Sequence, residues 1–156
     1  MFKATAIITP DSNAFRALDG VADATNFLLI AWLLGVLIIG TKNKTVGGKT
    51  WLGVLLAIAG VYLIKTLDSK LHLWESLNLN YSTHTALAAA IVVSLCVLQP
   101  SRRLLAVAIF AGYEVLQMLL GFHSLLDIIT TLIIIVPLAL ACLKLTSAKT
   151  IESRMD

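Results

Sequence analysis

His123 and Asp127 have the residue types and the spacing of an activated nucleophile. If a helix starts near His123, the two side chains share a face, and the carboxylate can hydrogen-bond the imidazole and fix its tautomer. An imidazole oriented in this way can act as a nucleophile or a general base. A purely structural alternative is a first-turn aspartate favoured by the helix dipole. Asp127 already lies inside an apolar run, where an ionisable group usually has a partner or a task.

A second polar cluster, formed by Ser82, Thr83 and His84, precedes another apolar run. Serine at such a position is a good N-cap, because its hydroxyl accepts from backbone N–H groups two or three residues further on. A helix N-terminus also offers free N–H groups and a positive dipole end, which suit an anion such as phosphate. The cluster therefore predicts a helix cap, an anion site, or both.

Glu114 and Gln117 interrupt a third apolar run and share a helix face at i and i+3. A buried ion pair, for example with Lys65, would explain Glu114 without any function. A protonated carboxyl group bonded between helices would do the same.

The elements that carry these residues are apolar helices. The 156 residues are 58% hydrophobic and 13% charged, against about 25% charged in soluble domains. Such a composition predicts an all-α integral membrane bundle of about five transmembrane helices, since a span needs roughly 20 apolar residues. We predict a single membrane domain over 1–156, with an N-terminal interfacial segment at 1–23, spans at about 24–41, 51–67, 84–98, 104–122 and 125–143, and a tail at 144–156.

The basic residues orient these five spans. Eight of the twelve fall on one face: Lys42, Lys44, Lys49, Arg102, Arg103, Lys144, Lys149 and Arg154. By the positive-inside rule that face is cytoplasmic, together with the tail, and the N-terminus and all three histidines lie outside. The net charge of +3 serves orientation, and nucleic acid is not expected as a partner. The cysteines, Cys96 and Cys142, have no metal-ligand spacing, and we expect no metal.

The order of these polar residues resembles the motifs of the membrane-embedded type 2 phosphatidic acid phosphatase superfamily, which includes lipid phosphate and undecaprenyl pyrophosphate phosphatases. Its motifs are a lysine, six residues and Arg-Pro; then Pro-Ser-Gly-His; then Ser-Arg, five residues, His, three residues and Asp. Five positions match in the same order: Lys65, Ser82, His84, His123 and Asp127. The resemblance covers about residues 15–145 and implies a lipid-phosphatase-like fold.

The resemblance implies a mechanism without metal or other cofactor. His123 would attack phosphorus and form a phosphohistidine while Asp127 orients it, and His84 would protonate the leaving oxygen. Lys65, Ser82 and the backbone near Thr83 would hold the phosphate oxygens of a membrane lipid phosphate or pyrophosphate. A bacterial member of the family would lie in the inner membrane with its site facing the periplasm.

The chain departs from the family at both arginines, which are bidentate phosphate clamps. His72 stands in place of the first and could supply a partial charge, whereas Gln117 replaces the second and supplies none. Glu114 adds a negative charge nearby that could tune the site. The residues therefore favour an enzyme, a lipid phosphate or pyrophosphate hydrolase that is slow or takes a less charged substrate.

Other interpretations of the same residues remain open. One is a catalytically impaired relative that binds lipid or serves as a structural subunit beside a membrane-protein partner. Glu114, Gln117 and the aspartate at the head of the last apolar run also resemble the glycopeptide-resistance accessory membrane proteins of the VanZ type. A metal or haem site is a further reading, because the three histidines with Asp127 and Glu114 are suitable ligand types.

Overall fold

The computed structural model describes the backbone of residues 12–152 and the side chains of residues 12–146. These residues form five α-helices and no strand, which confirms the predicted all-α bundle. The helices are α1 (Asn13–Lys42), α2 (Gly48–Leu71), α3 (Thr83–Leu98), α4 (Arg103–Leu119) and α5 (Leu125–Glu152). Short 3-10 turns at Glu75–Leu77 and Pro100–Arg102 precede α3 and α4. Residues 13–23, predicted as an interfacial segment, are helical and continuous with α1.

The ends of the helices follow from local capping. Ser12 caps α1 by accepting a hydrogen bond of 3.1 Å from the backbone N–H of Phe15. The last turn of α1 closes with the backbone N–H of Val46 donating to the carbonyl oxygen of Gly40 at 3.0 Å. α2 ends at His72, whose left-handed φ of 50° stops the helix.

α3 lies at the centre of the bundle and packs against the other four helices. Its buried face is mostly small, with Ala86, Ala88, Ala89 and Ala90 all enclosed. Small residues let helix backbones approach closely. A small residue also lets α2 approach α5 closely, since a Cβ added at Gly60 would lie 2.7 Å from a side-chain carbon of Leu138. The small residues of α2 and α3 thus form close-packing faces.

The surface of the bundle is apolar. Large exposed side chains include Phe27 on α1, Leu55 on α2 and Ile133 on α5. Three helices are long and apolar enough to cross a membrane by length and composition: Asn13–Lys42, Gly48–Leu71 and Leu125–Thr146. α3 is apolar but has 16 residues, and α4 has 17. At 1.5 Å per residue each is about 24–26 Å long, a little less than the roughly 30 Å hydrocarbon core.

The helices pack on two sides of α3. α1 and α4 contact α3 and each other, while α2 and α5 contact α3 and each other. The direction of the chain alternates, so the beginnings of α1, α3 and α5 meet the ends of α2 and α4. We call this the histidine end of the bundle, because it carries His72, His84 and His123.

Candidate functional site

A cavity of about 280 Å³ opens at the histidine end, on the side of α3 that packs against α1 and α4. We call it the His84–His123 cavity, and its lining comes from four segments of the chain: Asp19, Ala22 and Asp23 of α1, His84 of α3, Gln117 of α4, and Phe122 and His123 of the turn after α4. Three of the residues predicted from the sequence, His84, Gln117 and His123, therefore meet in one place.

His123 lies in the turn between α4 and α5 and is half-buried. Its Nδ1 atom is enclosed and has no hydrogen-bond partner among the described residues. Burial lowers the pKa of His123, because a charged imidazole would lose its hydration. The nearby Asp127 carboxylate opposes that shift, and His84 reinforces it. The lowered pKa favours the neutral form of the His123 imidazole, and the two histidines are close enough to interact electrostatically.

Asp127 is buried and its carboxylate bonds to backbone groups rather than to an imidazole. One oxygen accepts from the N–H of Asn80 at 2.7 Å, and the other accepts from the N–H of Ser124 at 2.9 Å. The Ser124 hydroxyl accepts in return from the N–H of Asp127 at 3.2 Å, which completes a reciprocal cap at the start of α5.

The predicted hydrogen bond between Asp127 and His123 is not formed, because both Asp127 oxygens bond to backbone N–H groups instead. The prediction required a helix that starts near His123, but α5 starts at Leu125 with Ser124 before it. His123 lies outside the helix, so the i and i+4 relationship does not apply. Asp127 instead fixes the loop before α3 and the turn before α5, and it acts on His123 through its charge.

Ser82 is the predicted N-cap of α3. Its hydroxyl accepts from the N–H of Thr85 at 3.2 Å and donates to the Thr85 hydroxyl at 2.8 Å. The side chain is fully buried and does not line the cavity. Thr83, the first residue of α3, is half-buried, and His84 is exposed in the first turn. The cap therefore positions His84, and Ser82 does not reach the cavity itself.

Glu114 is buried beneath the start of α3. Its Oε2 atom accepts a hydrogen bond of 2.8 Å from the Thr85 hydroxyl, and its Oε1 atom is enclosed without a partner in the described part of the chain. The ion pair considered with Lys65 is not formed, because Lys65 is exposed on α2, and α2 and α4 pack on different sides of α3.

His72 and Lys65 lie away from the His84–His123 cavity. His72 ends α2 and pairs with Glu75, with 2.7 Å between Nδ1 and a carboxylate oxygen. It lines a separate cavity of about 460 Å³ with Asp68 and Glu75, and Lys65 lines neither cavity. Of the residues predicted to bind substrate, Lys65, His72, Ser82, Thr83 and Gln117, only Gln117 lines the His84–His123 cavity. Lys65 and His72 are excluded because α1 and not α2 borders the cavity.

Asp19 and Asp23, which line the cavity, were not assigned to a site from the sequence. Their spacing could have indicated a shared site, because two acidic residues at i and i+4 lie on one helix face if residues 13–23 are helical. Among the described residues, no group of three or more His, Cys, Asp or Glu side chains is placed to hold a metal ion.

Comparison with known proteins gives no relative. No protein-family model matches the chain, and neither a curated protein nor a solved structure matches it.

Proposed function

We propose that this chain is a membrane-embedded hydrolase that removes phosphate from a lipid phosphate or pyrophosphate. The observation that carries the proposal is that His84 and His123, from the start of α3 and the turn before α5, line one cavity. Two histidines at one cavity can divide the work of a nucleophile and a general acid between them. The motif order described above assigns the same two residues to those two tasks.

The proposed reaction proceeds in two steps through a phosphohistidine. In the first, a ring nitrogen of neutral His123 attacks phosphorus and the bond from phosphorus to the lipid oxygen breaks. Protonated His84 donates its proton to that oxygen, so the lipid leaves as an alcohol or, from a pyrophosphate, as a lipid monophosphate. In the second, His84 takes a proton from water as the water oxygen attacks phosphorus, the P–N bond breaks, and inorganic phosphate leaves.

The environments of the two histidines suit these roles. The lowered pKa of His123 keeps its imidazole neutral at neutral pH, as a nucleophile requires. Because Nδ1 of His123 is enclosed, Nε2 is the nitrogen that a substrate would approach. His84 is exposed and can exchange protons with water between the two steps.

The charge of the His84–His123 cavity is unfavourable for binding a phosphate group. No lysine or arginine of the described residues lines it. Cationic clamps on a transferring phosphoryl group stabilise the transition state, and a single preorganised donor can contribute about 3–4 kcal/mol. We therefore expect slow turnover, or a substrate that carries less net negative charge than a phosphate monoester dianion.

A second candidate is a non-catalytic relative that binds lipid or a membrane-protein partner. The commitment of both Asp127 carboxylate oxygens to backbone N–H groups favours it. The position of Lys65 and His72 outside the cavity favours it as well. In both candidates we place the chain in a bacterial inner membrane, with the histidine end facing the periplasm.

The deciding experiment measures phosphate release by the purified protein in detergent. The substrates are phosphatidic acid, phosphatidylglycerol phosphate and undecaprenyl pyrophosphate. His123→Asn is compared with His72→Asn, which removes a histidine from the same end of the bundle but outside the cavity. Release that is lost in the first variant and kept in the second supports the hydrolase. If the wild type releases no phosphate from any substrate, the hydrolase is rejected in favour of the second candidate.

A further inference from the structure

Two carboxylates of α1 share the His84–His123 cavity with the histidines. Asp19 and Asp23 are four residues apart and both line the cavity, so they lie on one face of the helix. Neither carboxylate forms an ion pair within the part of the chain that the structure describes, where the sole such pair is His72 with Glu75. Among the described residues that line the cavity, the two carboxylates face no lysine or arginine, and a protonated His84 would balance only one of them.

This charge distribution selects against one kind of ligand and for another. A phosphate monoester dianion would face two like charges in a partly enclosed space, where electrostatic interactions are stronger than in bulk water. An ammonium group would supply the missing counter-charge and up to three N–H donors for carboxylate oxygens. A ligand that carries an ammonium group beside its phosphate complements the whole cavity. Its ammonium group would contact the carboxylates of α1, and its phosphorus would lie against the histidines.

We infer that Asp19 and Asp23 bind the ammonium group of a zwitterionic lipid phosphate ester and are the specificity-determining residues of this site. The assignment of phosphorus to the histidines rests on the function proposed above, whereas ammonium binding by the carboxylates can be measured without any turnover. The cavity volume of about 280 Å³ accommodates a headgroup, near the lower end of small-molecule sites at roughly 300 Å³. The lipid chains would extend along the apolar surface of the bundle.

The test uses two synthetic probes that differ in one charge. The first is a long-chain alkyl phosphate monoester with a free amine on the carbon next to the phosphate-bearing carbon, and the second is the same molecule N-acetylated. Equilibrium binding is measured in detergent in a His123→Asn background, so that turnover does not consume the probes. The carboxylates are then neutralised together by Asp19→Asn and Asp23→Asn, and Glu75→Gln serves as the matched control at the same end of the bundle.

We expect the amine probe to bind about tenfold more tightly than its N-acetyl form, near the lower end of what a hydrogen bond to a charged group contributes. This ratio should fall to about one when Asp19 and Asp23 are neutralised and should persist with Glu75→Gln. Equal binding of the two probes, or a preference that survives neutralisation of both aspartates, overturns the inference. Phosphate release from either probe by the wild type is scored separately, so that a failed hydrolase and a failed ammonium site give different results.

Discussion

The carboxylate of Asp127 accepts a hydrogen bond of 2.7 Å from the backbone N–H of Asn80. This contact joins the loop before α3 to the first turn of α5, and the second carboxylate oxygen holds the turn that contains His123 through the N–H of Ser124. One buried side chain thus fixes the two segments that carry the histidines of the cavity. Its contribution to function is positional, because its oxygens bond to backbone groups.

Asp127→Asn should therefore lower both stability and activity. An amide retains one oxygen acceptor, so one of the two part-buried backbone N–H groups loses its partner, at a cost of about 1 kcal/mol. We expect a lower Tm in detergent and loss of most phosphate release, because His123 is no longer held. Asp68→Asn is the matched control, since Asp68 also accepts from a backbone N–H, that of Trp74 at 2.9 Å, outside the cavity. It should largely keep both Tm and activity, because the amide oxygen can still accept that one hydrogen bond. Full activity in Asp127→Asn would remove Asp127 from the positioning of His123.

The helices could be predicted from the sequence because their signals are local. Runs of apolar residues, the basic clusters between them and the serine before α3 each depend on neighbours in the chain, and the five α-helices and the Ser82 cap were obtained in this way. Position along the membrane normal follows from such patterns, which is why His72, His84 and His123 were placed at one end.

The lateral arrangement of the helices could not be predicted, because it depends on which faces pack together. No feature of α1 indicates that it packs against α4, and the structure places it there. As a result Asp19 and Asp23 enter the cavity, while Lys65 and His72, which the motif resemblance assigned to it, lie elsewhere. The start of α5 was predicted at about residue 125 and lies at Leu125, so His123 is outside the helix and does not bond to the Asp127 carboxylate.

The hydroxyl of Thr85 should contribute to stability through Glu114. Thr85→Val keeps the shape of the side chain but leaves the Glu114 Oε2 atom without its donor in a buried position, a loss of about 1–3 kcal/mol. Ser94→Ala is the control on the same helix, because the Ser94 hydroxyl bonds only to the carbonyl oxygen of Ala90. We expect the Tm to fall much further in Thr85→Val than in Ser94→Ala.

A double-mutant cycle separates the Thr85–Glu114 contact from general packing. Glu114→Met, which removes both oxygen acceptors, combined with Thr85→Val should destabilise the protein by less than the sum of the two single changes, since both remove the same interaction. Additive effects would show that the hydroxyl and the carboxyl group stabilise the bundle independently.

The stability of the protein should depend on pH through His123. Burial lowers the pKa of His123 in the folded state, so between that value and about 6.5, the pKa of an unperturbed histidine, the unfolded chain binds more protons. The contribution of the neutral imidazole to stability is therefore complete above about pH 6.5 and is lost as the pH falls through the lowered value. Thermal unfolding in detergent, followed from neutral to mildly acidic pH, should show a declining Tm.

His123→Asn should flatten this decline, because the titrating group is removed. His72→Asn, which removes a histidine from the same end of the bundle but outside the cavity, is the control and should retain the decline. A decline of the same size in His123→Asn would assign the pH dependence to another group.

The orientation of the bundle is tested by the charges of the loop between α1 and α2. The positive-inside rule places this loop and the C-terminus in the cytoplasm, so a reporter fused after Asp156 should be cytoplasmic and one inserted near Asn78 periplasmic. Changing Lys42, Lys44 and Lys49 together to glutamine removes three of the eight basic residues on the face predicted to be cytoplasmic. If those charges set the orientation, the variant should show a mixture of the two topologies. The reverse reporter pattern in the wild type would place His84 and His123 in the cytoplasm, and a periplasmic lipid substrate would then be excluded.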